Sequence, residues 1–175
     1  MMEKEKRECF LLVWAFDRMI VFLKKKGVAF PDQKKVEKFL DLAWEALRDD
    51  SVSKVSTRSM ERLFDARIVD EQDAGYEEIV VNMFLYALSN FCMYFEEGSA
   101  SSLGVARNSI LDFYDYIASQ RYILNKKGGR AVVLTDADEE AIKNDPDFLG
   151  ETVFQEADGI FAEKVVDWRL VERHQ

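Results

Sequence analysis

The sequence predicts an all-α fold: a single-domain bundle of six or seven helices around a buried central helix at about residues 76–97. Three observations carry this reading. Residues 79–95, IVVNMFLYALSNFCMYF, hold no Asp, Glu, Lys, Arg, Pro or Gly, and their apolar side chains fall on every face at helical spacing, as in a helix enclosed by others. The segments on either side repeat apolar residues at i, i+3, i+4 and i+7, the period of helices with one inward face. Thirteen Phe stand beside only two Pro and eight Gly, which favours long helices over short strands and tight turns. At about 17 residues the central run reaches only the lower edge of a membrane span, and Asn82, Ser89 and Asn90 interrupt it. It reads as core.

The elements follow in order. A first helix is expected from Glu3 to Lys26, with Phe10, Val13, Trp14, Phe16, Ile20 and Leu23 inward. The basic run Lys24–Lys26 sits at its negative dipole end, and Gly27 stops it. Pro31 marks a turn, because it lacks a donor and fixes φ. A second helix runs to Arg48, with Val36, Phe39, Leu40, Ala43, Trp44 and Leu47 on one face. The short loop between them makes the two antiparallel neighbours. A shorter helix spans Thr57 to Arg67, capped by Ser56 or Thr57. The central helix opens near Tyr76, with Glu77 and Glu78 in its first turn, and ends at Gly98.

A fifth helix begins within 99–102 and runs to about Leu124, with Val105, Ile110, Leu111, Tyr114, Ile117 and Ala118 inward. Residues 125–130, NKKGGR, form the clearest loop. Residues 131–134 offer a short extended piece with no partner run. Thr135 or Asp136 caps a helix to about Lys143, Asp136 and Glu139 having the spacing of a capping box. Pro146 opens a last helix from Asp147 to about Glu172, with Val153, Phe154, Ala157, Ile160, Phe161, Val165 and Trp168 inward.

With 175 residues, one domain can bury roughly 70% of the surface of its unfolded chain. Cys9 and Cys92 are the only cysteines and lie in apolar helical patterns, so they read as reduced core thiols in a reducing compartment. Residues 3–8, EKEKRE, and the break at Asp17–Arg18 do not make a signal peptide, and cytoplasmic residence is expected. Net charge is −9, and it is regional. Residues 61–97 and 132–175 are strongly acidic, whereas 1–30 and 98–131 are mildly basic. That balance argues against nucleic-acid and anionic-membrane partners and favours a basic protein.

The chain shows little catalytic vocabulary. Its single histidine is His174, and no P-loop, dinucleotide fingerprint, nucleophile elbow or Cys-x-x-Cys occurs. Asp136, Asp138 and Glu140 alternate as in a calcium loop. Ala141, however, stands where Gly is needed, and no Glu occupies the twelfth position. No metal and no cofactor are expected. The densest carboxylate surface lies within 136–167: Asp136, Asp138, Glu139 and Glu140, followed by Glu151, Gln155 and Asp158 on one helical face and Glu156, Glu163 and Asp167 along a flank. These ten residues form the candidate partner-binding set.

Phe16–Asp17–Arg18–Met19 followed by Leu40–Asp41–Leu42–Ala43–Trp44–Glu45–Ala46–Leu47, and Asp138–Glu139–Glu140 followed by Pro146, Glu151 and Gln155, resemble the YjaG-like family of small bacterial proteins, the uncharacterised-domain family number 416. The similarity covers about residues 9–164. The chain departs from the family at Ile20–Leu23, where the family carries a Pro-Asn-Tyr-like break. The resemblance implies an all-helical fold and brings no catalytic residues. Arg18 is expected to pair with Glu45 or Glu151 across helices, either as a network that fixes register or as part of a site. The functional expectation is a non-enzymatic protein-binding module of immunity or antitoxin type, neutralising a basic partner through its acidic face. The alternative is a helical small-ligand sensor or a carboxylate-based enzyme.

Overall fold

Two glycines in left-handed conformation, Gly27 (φ 71°) and Gly98 (φ 68°), close the first and the central helix where an L side chain would be strained. The computed structural model describes residues 3–30, 32–51, 55–70, 72, 74–127 and 133–173. These form seven α-helices and no strand: α1 (Glu3–Lys25), α2 (Gln33–Arg48), α3 (Arg58–Arg67), α4 (Tyr76–Glu97), α5 (Ala100–Lys127), α6 (Asp136–Lys143) and α7 (Pro146–Ala162), with a 3-10 turn at Trp168–Leu170. The turn expected at Pro31, residues 128–130 of the long loop, residues 131–132 of the extended piece and His174 lie outside the described residues. Val133 and Leu134 are irregular.

α4 sits at the centre, packed against α5, α3 and α1. It brings Val80, Phe84, Leu85, Leu88, Phe91 and Cys92 into the core and leaves a narrow outward stripe with Tyr86 and Met93 exposed. By length and composition α4 could cross a membrane; here its larger face is inside the bundle. Its fully buried Asn82 is satisfied by main chain, accepting from Val69 N at 3.1 Å and donating to Val69 O at 2.8 Å. That pair pins the segment leading into the helix, since a buried amide needs partners.

α1 shares the centre, touching α2, α4, α5 and α7. Residues 12–16 are buried without interruption, because neighbours cover α1 on several sides. Aromatic contacts knit these layers. Phe16 meets Phe84 and Phe91 at 6.0 and 5.6 Å, and Phe39 meets Phe91 and Phe95. Phe10 meets Trp44 edge-on at 4.7 Å and stacks on Trp168 at 4.2 Å. Each such pair contributes about 0.5–1.5 kcal/mol beyond its buried area.

Three expectations are corrected. Val105 points outward, since the inward stripe of α5 is Leu103, Ala106, Ile110, Phe113, Tyr114 and Ile117, an i, i+3, i+4 series that leaves Val105 on the far side. The box opening α6 is Thr135 with Asp138, not Asp136 with Glu139: Asp138 accepts from Thr135 N at 2.9 Å. The last helix ends at Ala162, ten residues before the expected Glu172. The chain then turns back so that Trp168 can reach Phe10, and Arg173 pairs with Asp17 and Asp41.

Two measurements check this packing. Leu88 is fully buried, and Leu88→Asp is expected to remove the helical circular-dichroism signal at room temperature. An unpaired buried carboxylate costs several kcal/mol against a total stability of about 5–15 kcal/mol. Cys9 and Cys92 are both free and buried, and burial holds their thiols well above the ordinary range. Native protein at pH 8 is therefore expected to give no rapid reaction with Ellman's reagent, and denatured protein to release both thiols.

Candidate functional site

α7 reads PDFLGETVFQEADGIFA and carries two arcs. Glu151, Gln155, Asp158 and Ala162 follow one another at i, i+4, i+7 and i+11; Leu149, Val153 and Ile160 follow one another on the opposite side, with Phe154 and Phe161 on the flank between the two arcs. An ordinary surface helix turns its apolar arc inward. α7 does the reverse. Glu151 and Ala162 are its buried residues, while Leu149, Val153, Phe154, Ile160 and Phe161 are 47%, 54%, 55%, 52% and 48% exposed.

The cause is Arg18 of α1. Its Nε donates to Glu151 Oε2 at 2.9 Å and its Nη2 to Glu151 Oε1 at 2.8 Å, a two-pronged fit of guanidinium to carboxylate. Its Nη1 donates to Asp158 Oδ2 at 2.6 Å. Burial works against this guanidinium's charge, yet Glu151 and Asp158 hold its pKa above the ordinary value. Gln155 Nε2 donates to Glu151 Oε1 at 3.1 Å, and Arg107 of α5 reaches Gln155 at 3.4 Å. At the start of α7, Pro146 occupies the first turn and Asp145 accepts from Asp147 N at 2.9 Å, a capped N-terminus. Arg121 grips both Asp145, at 2.8 Å, and Asp147. Lys26 also lies 3.0 Å from Asp147. Burial would raise the Asp147 carboxyl; Arg121 and Lys26 hold it below its ordinary value. Arg18 of α1, Lys26 just past its end and Arg121 of α5 thus dock the acidic side of α7.

Between α1 and α7 runs an open groove of about 680 Å³, walled by Trp14, Val21, Phe22, Tyr114, Gly150 and Phe154. Phe154 also lies over Arg18, whose Cζ is 5.6 Å from the ring centroid.

The ten predicted partner-binding residues do not form one face. Glu151, Gln155 and Asp158 are together, as the spacing implies, but Glu151 and Asp158 are turned onto Arg18 and Gln155 onto Glu151 and Arg107. Asp138 is buried, accepting from Thr135 Oγ1 at 2.7 Å and from the Tyr122 hydroxyl. Asp167 caps the 3-10 turn, accepting from Arg169 N at 3.0 Å and Arg169 Nε at 2.9 Å. The Arg169 guanidinium pulls its carboxyl down to about 2. Glu140 lies 3.8 Å from Lys143. Asp136, Glu139, Glu156 and Glu163 are exposed and unpaired among the described residues. Arg18 meets Glu151 and not Glu45, which pairs with Arg48 at 3.2 Å.

Sequence reasoning missed the outward arc and the Arg121 clamp. The signal for the first was present: the polar series 151, 155, 158 is as regular as the apolar one, and only a basic residue on a facing helix decides which turns in. Among the described residues, no three His, Cys, Asp or Glu side chains converge to hold a metal. No protein-family model, curated protein or solved structure matches the chain, so the likeness to the YjaG-like family rests on its quoted motifs alone.

A double-mutant cycle measures the Arg18 fork. Arg18→Met strands Glu151, which is 3% exposed, and is expected to destabilise by about 3–5 kcal/mol in urea unfolding. Arg18→Met combined with Glu151→Leu should recover most of that loss. Additive losses would show that the two side chains do not depend on each other.

Proposed function

We propose that this chain is a non-enzymatic protein-binding module whose docking surface is the outward arc of α7, and that its partner is a basic amphipathic helix. One observation carries the reading: α7 exposes Leu149, Val153 and Ile160 to solvent while its polar arc is held inside by Arg18. A contiguous exposed apolar strip marks an interaction surface, and an amphipathic helix laid along it matches its shape, anchoring at i, i+3, i+4 and i+7. The charge of the occupant follows from the rim. Glu156 and Glu163 flank the strip and are exposed and unpaired among the described residues, so Lys or Arg beside the partner's apolar stripe would meet opposite charge.

The biological form we assign is that of an immunity or antitoxin-type protein, which neutralises a basic partner by covering it. Compact size and regional acidity support it. The non-catalytic part is supported by the commitments of the polar groups: the thiols are buried, and Glu151, Asp158, Asp147 and Asp138 are each bonded to a structural partner.

The test uses a 17-residue Leu/Lys amphipathic peptide as probe and a Leu/Glu peptide of the same pattern as control. The Leu/Lys peptide is expected to bind and the Leu/Glu peptide not. Val153→Asp with Ile160→Asp should abolish binding and leave melting nearly unchanged. Glu156→Lys with Glu163→Lys should slow association by about tenfold or more at low salt and have no effect at high salt. Binding that survives Val153→Asp with Ile160→Asp would overturn the assignment of the surface.

A further inference from the structure

The groove between α1 and α7 has a chemistry of its own, separate from the outward arc. Its volume, about 680 Å³, falls in the range of small-molecule pockets, which combine apolar walls with a few placed polar groups. Val21, Phe22, Gly150 and Phe154 supply apolar wall. The polar lining sorts by whether each group is already engaged. Asp17 is held by Arg173, Asp147 by Arg121 and Lys26, and Glu151 and Asp158 by Arg18. All four lining carboxylates therefore have a cation.

Two donors do not have a partner. Lys25 is exposed at the groove and pairs with no described residue. Tyr114 is 3% exposed, with its ring packed edge-on by Phe22 at 5.3 Å, and its hydroxyl hydrogen-bonds to no described group. Its oxygen is not among the enclosed polar atoms that lack a partner, so the hydroxyl opens onto the groove it lines, where it can donate to an incoming acceptor. Burial, with the nearby Glu151 charge, keeps this phenol protonated far above neutral pH, so what it lacks is an acceptor and not a donor.

We propose that this groove binds an amphipathic monocarboxylate, its apolar body lying against Val21, Phe22 and Phe154, its carboxylate drawn to Lys25 and an oxygen accepting from Tyr114. A bound anion would satisfy both open donors at once. A cation would find the lining carboxylates already taken and would meet Lys25 as a like charge. The inference goes beyond the protein-binding reading and does not rest on it: the ligand lies on the α1 side of Phe154, whereas the partner helix lies on the arc of Leu149, Val153 and Ile160.

Gly150 makes the test clean. A Cβ built there meets nothing within 4 Å, so Gly150→Leu starts its side chain in open space at the groove, and Leu has a higher helix propensity than Gly. Decanoate is the probe, with decylammonium as the reversed-charge control, titrated by calorimetry and by amide chemical shifts. Saturable decanoate binding is expected below about 1 mM. Gly150→Leu should abolish it. Lys25→Glu should weaken it by about tenfold or more and Tyr114→Phe by about fivefold, as expected for loss of a charge-assisted contact and of one hydrogen bond. All three variants should melt near the parent temperature. Absence of saturable binding, decanoate affinity untouched by Gly150→Leu, or equal affinity for decylammonium would each overturn the proposal. None of these results depends on the Leu/Lys peptide, which Gly150→Leu is expected to leave bound.

Discussion

A single guanidinium decides how the last helix sits. Arg18 offers a planar fork, and Glu151 and Asp158, seven residues and two helical turns apart on one face, present their carboxylates to receive it. Once that fork is closed, the rotation of α7 about its own axis is fixed, and Leu149, Val153 and Ile160 must face away. The opposite rotation would bury those three side chains, each worth about 1.5–3 kcal/mol when fully removed from water. A buried ion pair roughly breaks even against apolar packing of the same volume. Stability alone therefore favours the rotation that is not observed. An outward apolar arc maintained against that preference supports the docking surface proposed for α7.

The docking of α7 is reinforced at both ends, which keeps it from behaving as a loose arm. At its start, Arg121 clamps Asp145 and Asp147, and Lys26 joins from the turn after α1. Past its end, Trp168 stacks on Phe10, and Arg48 Nη2 donates to Arg169 O at 2.8 Å. Arg173 then pairs with Asp17 and Asp41, tying the C-terminal segment to α1 and α2. Lifting α7 off α1 means breaking a polar network as well as an aromatic one, and the strip it displays is presented on a rigid element. Rigid presentation lowers the ordering cost of binding.

Helix boundaries were largely legible because they are written in local chemistry: Gly27 and Gly98 at C-termini, Pro146 at an N-terminus, and periodic apolar positions between. Facing directions were less so. Periodicity gives an arc, and the usual assumption that the more apolar arc turns inward holds for α2 and fails for α7, where the decision belongs to Arg18, 133 residues away from Glu151. The Arg18–Glu151 pair itself was visible as one of two possibilities; choosing between Glu151 and Glu45 needed the packing. Val105 failed for a smaller reason: Ala106, one residue on, takes the inward place, while Ile110, Tyr114, Ile117 and Ala118 of the same expected stripe are buried. The end of α7 failed because Trp168 reaches the core from a 3-10 turn, and a buried aromatic at helical spacing looks the same from either backbone. Tyr114 was legible as an inward residue, but an open hydrogen bond on it was not, since that depends on what the neighbouring side chains leave unfilled.

The uneven charge along the chain finds its explanation in these contacts. The mildly basic segments 1–30 and 98–131 supply Arg18, Lys26, Arg107 and Arg121, and the acidic segment 132–175 supplies most of what they grip. Pairing therefore consumes much of that segment's acidity before any partner arrives. What remains on α6, on α7 and at its C-cap, Asp136, Glu139, Glu156 and Glu163, has no counter-charge among the described residues. Such exposed acids add little to stability, about 0–1 kcal/mol even where paired. Their field reaches only about 8 Å at physiological ionic strength. Acids left over in that way influence the encounter with a partner more than the fold, and Glu156 and Glu163 stand where an encounter on the outward arc of α7 would begin.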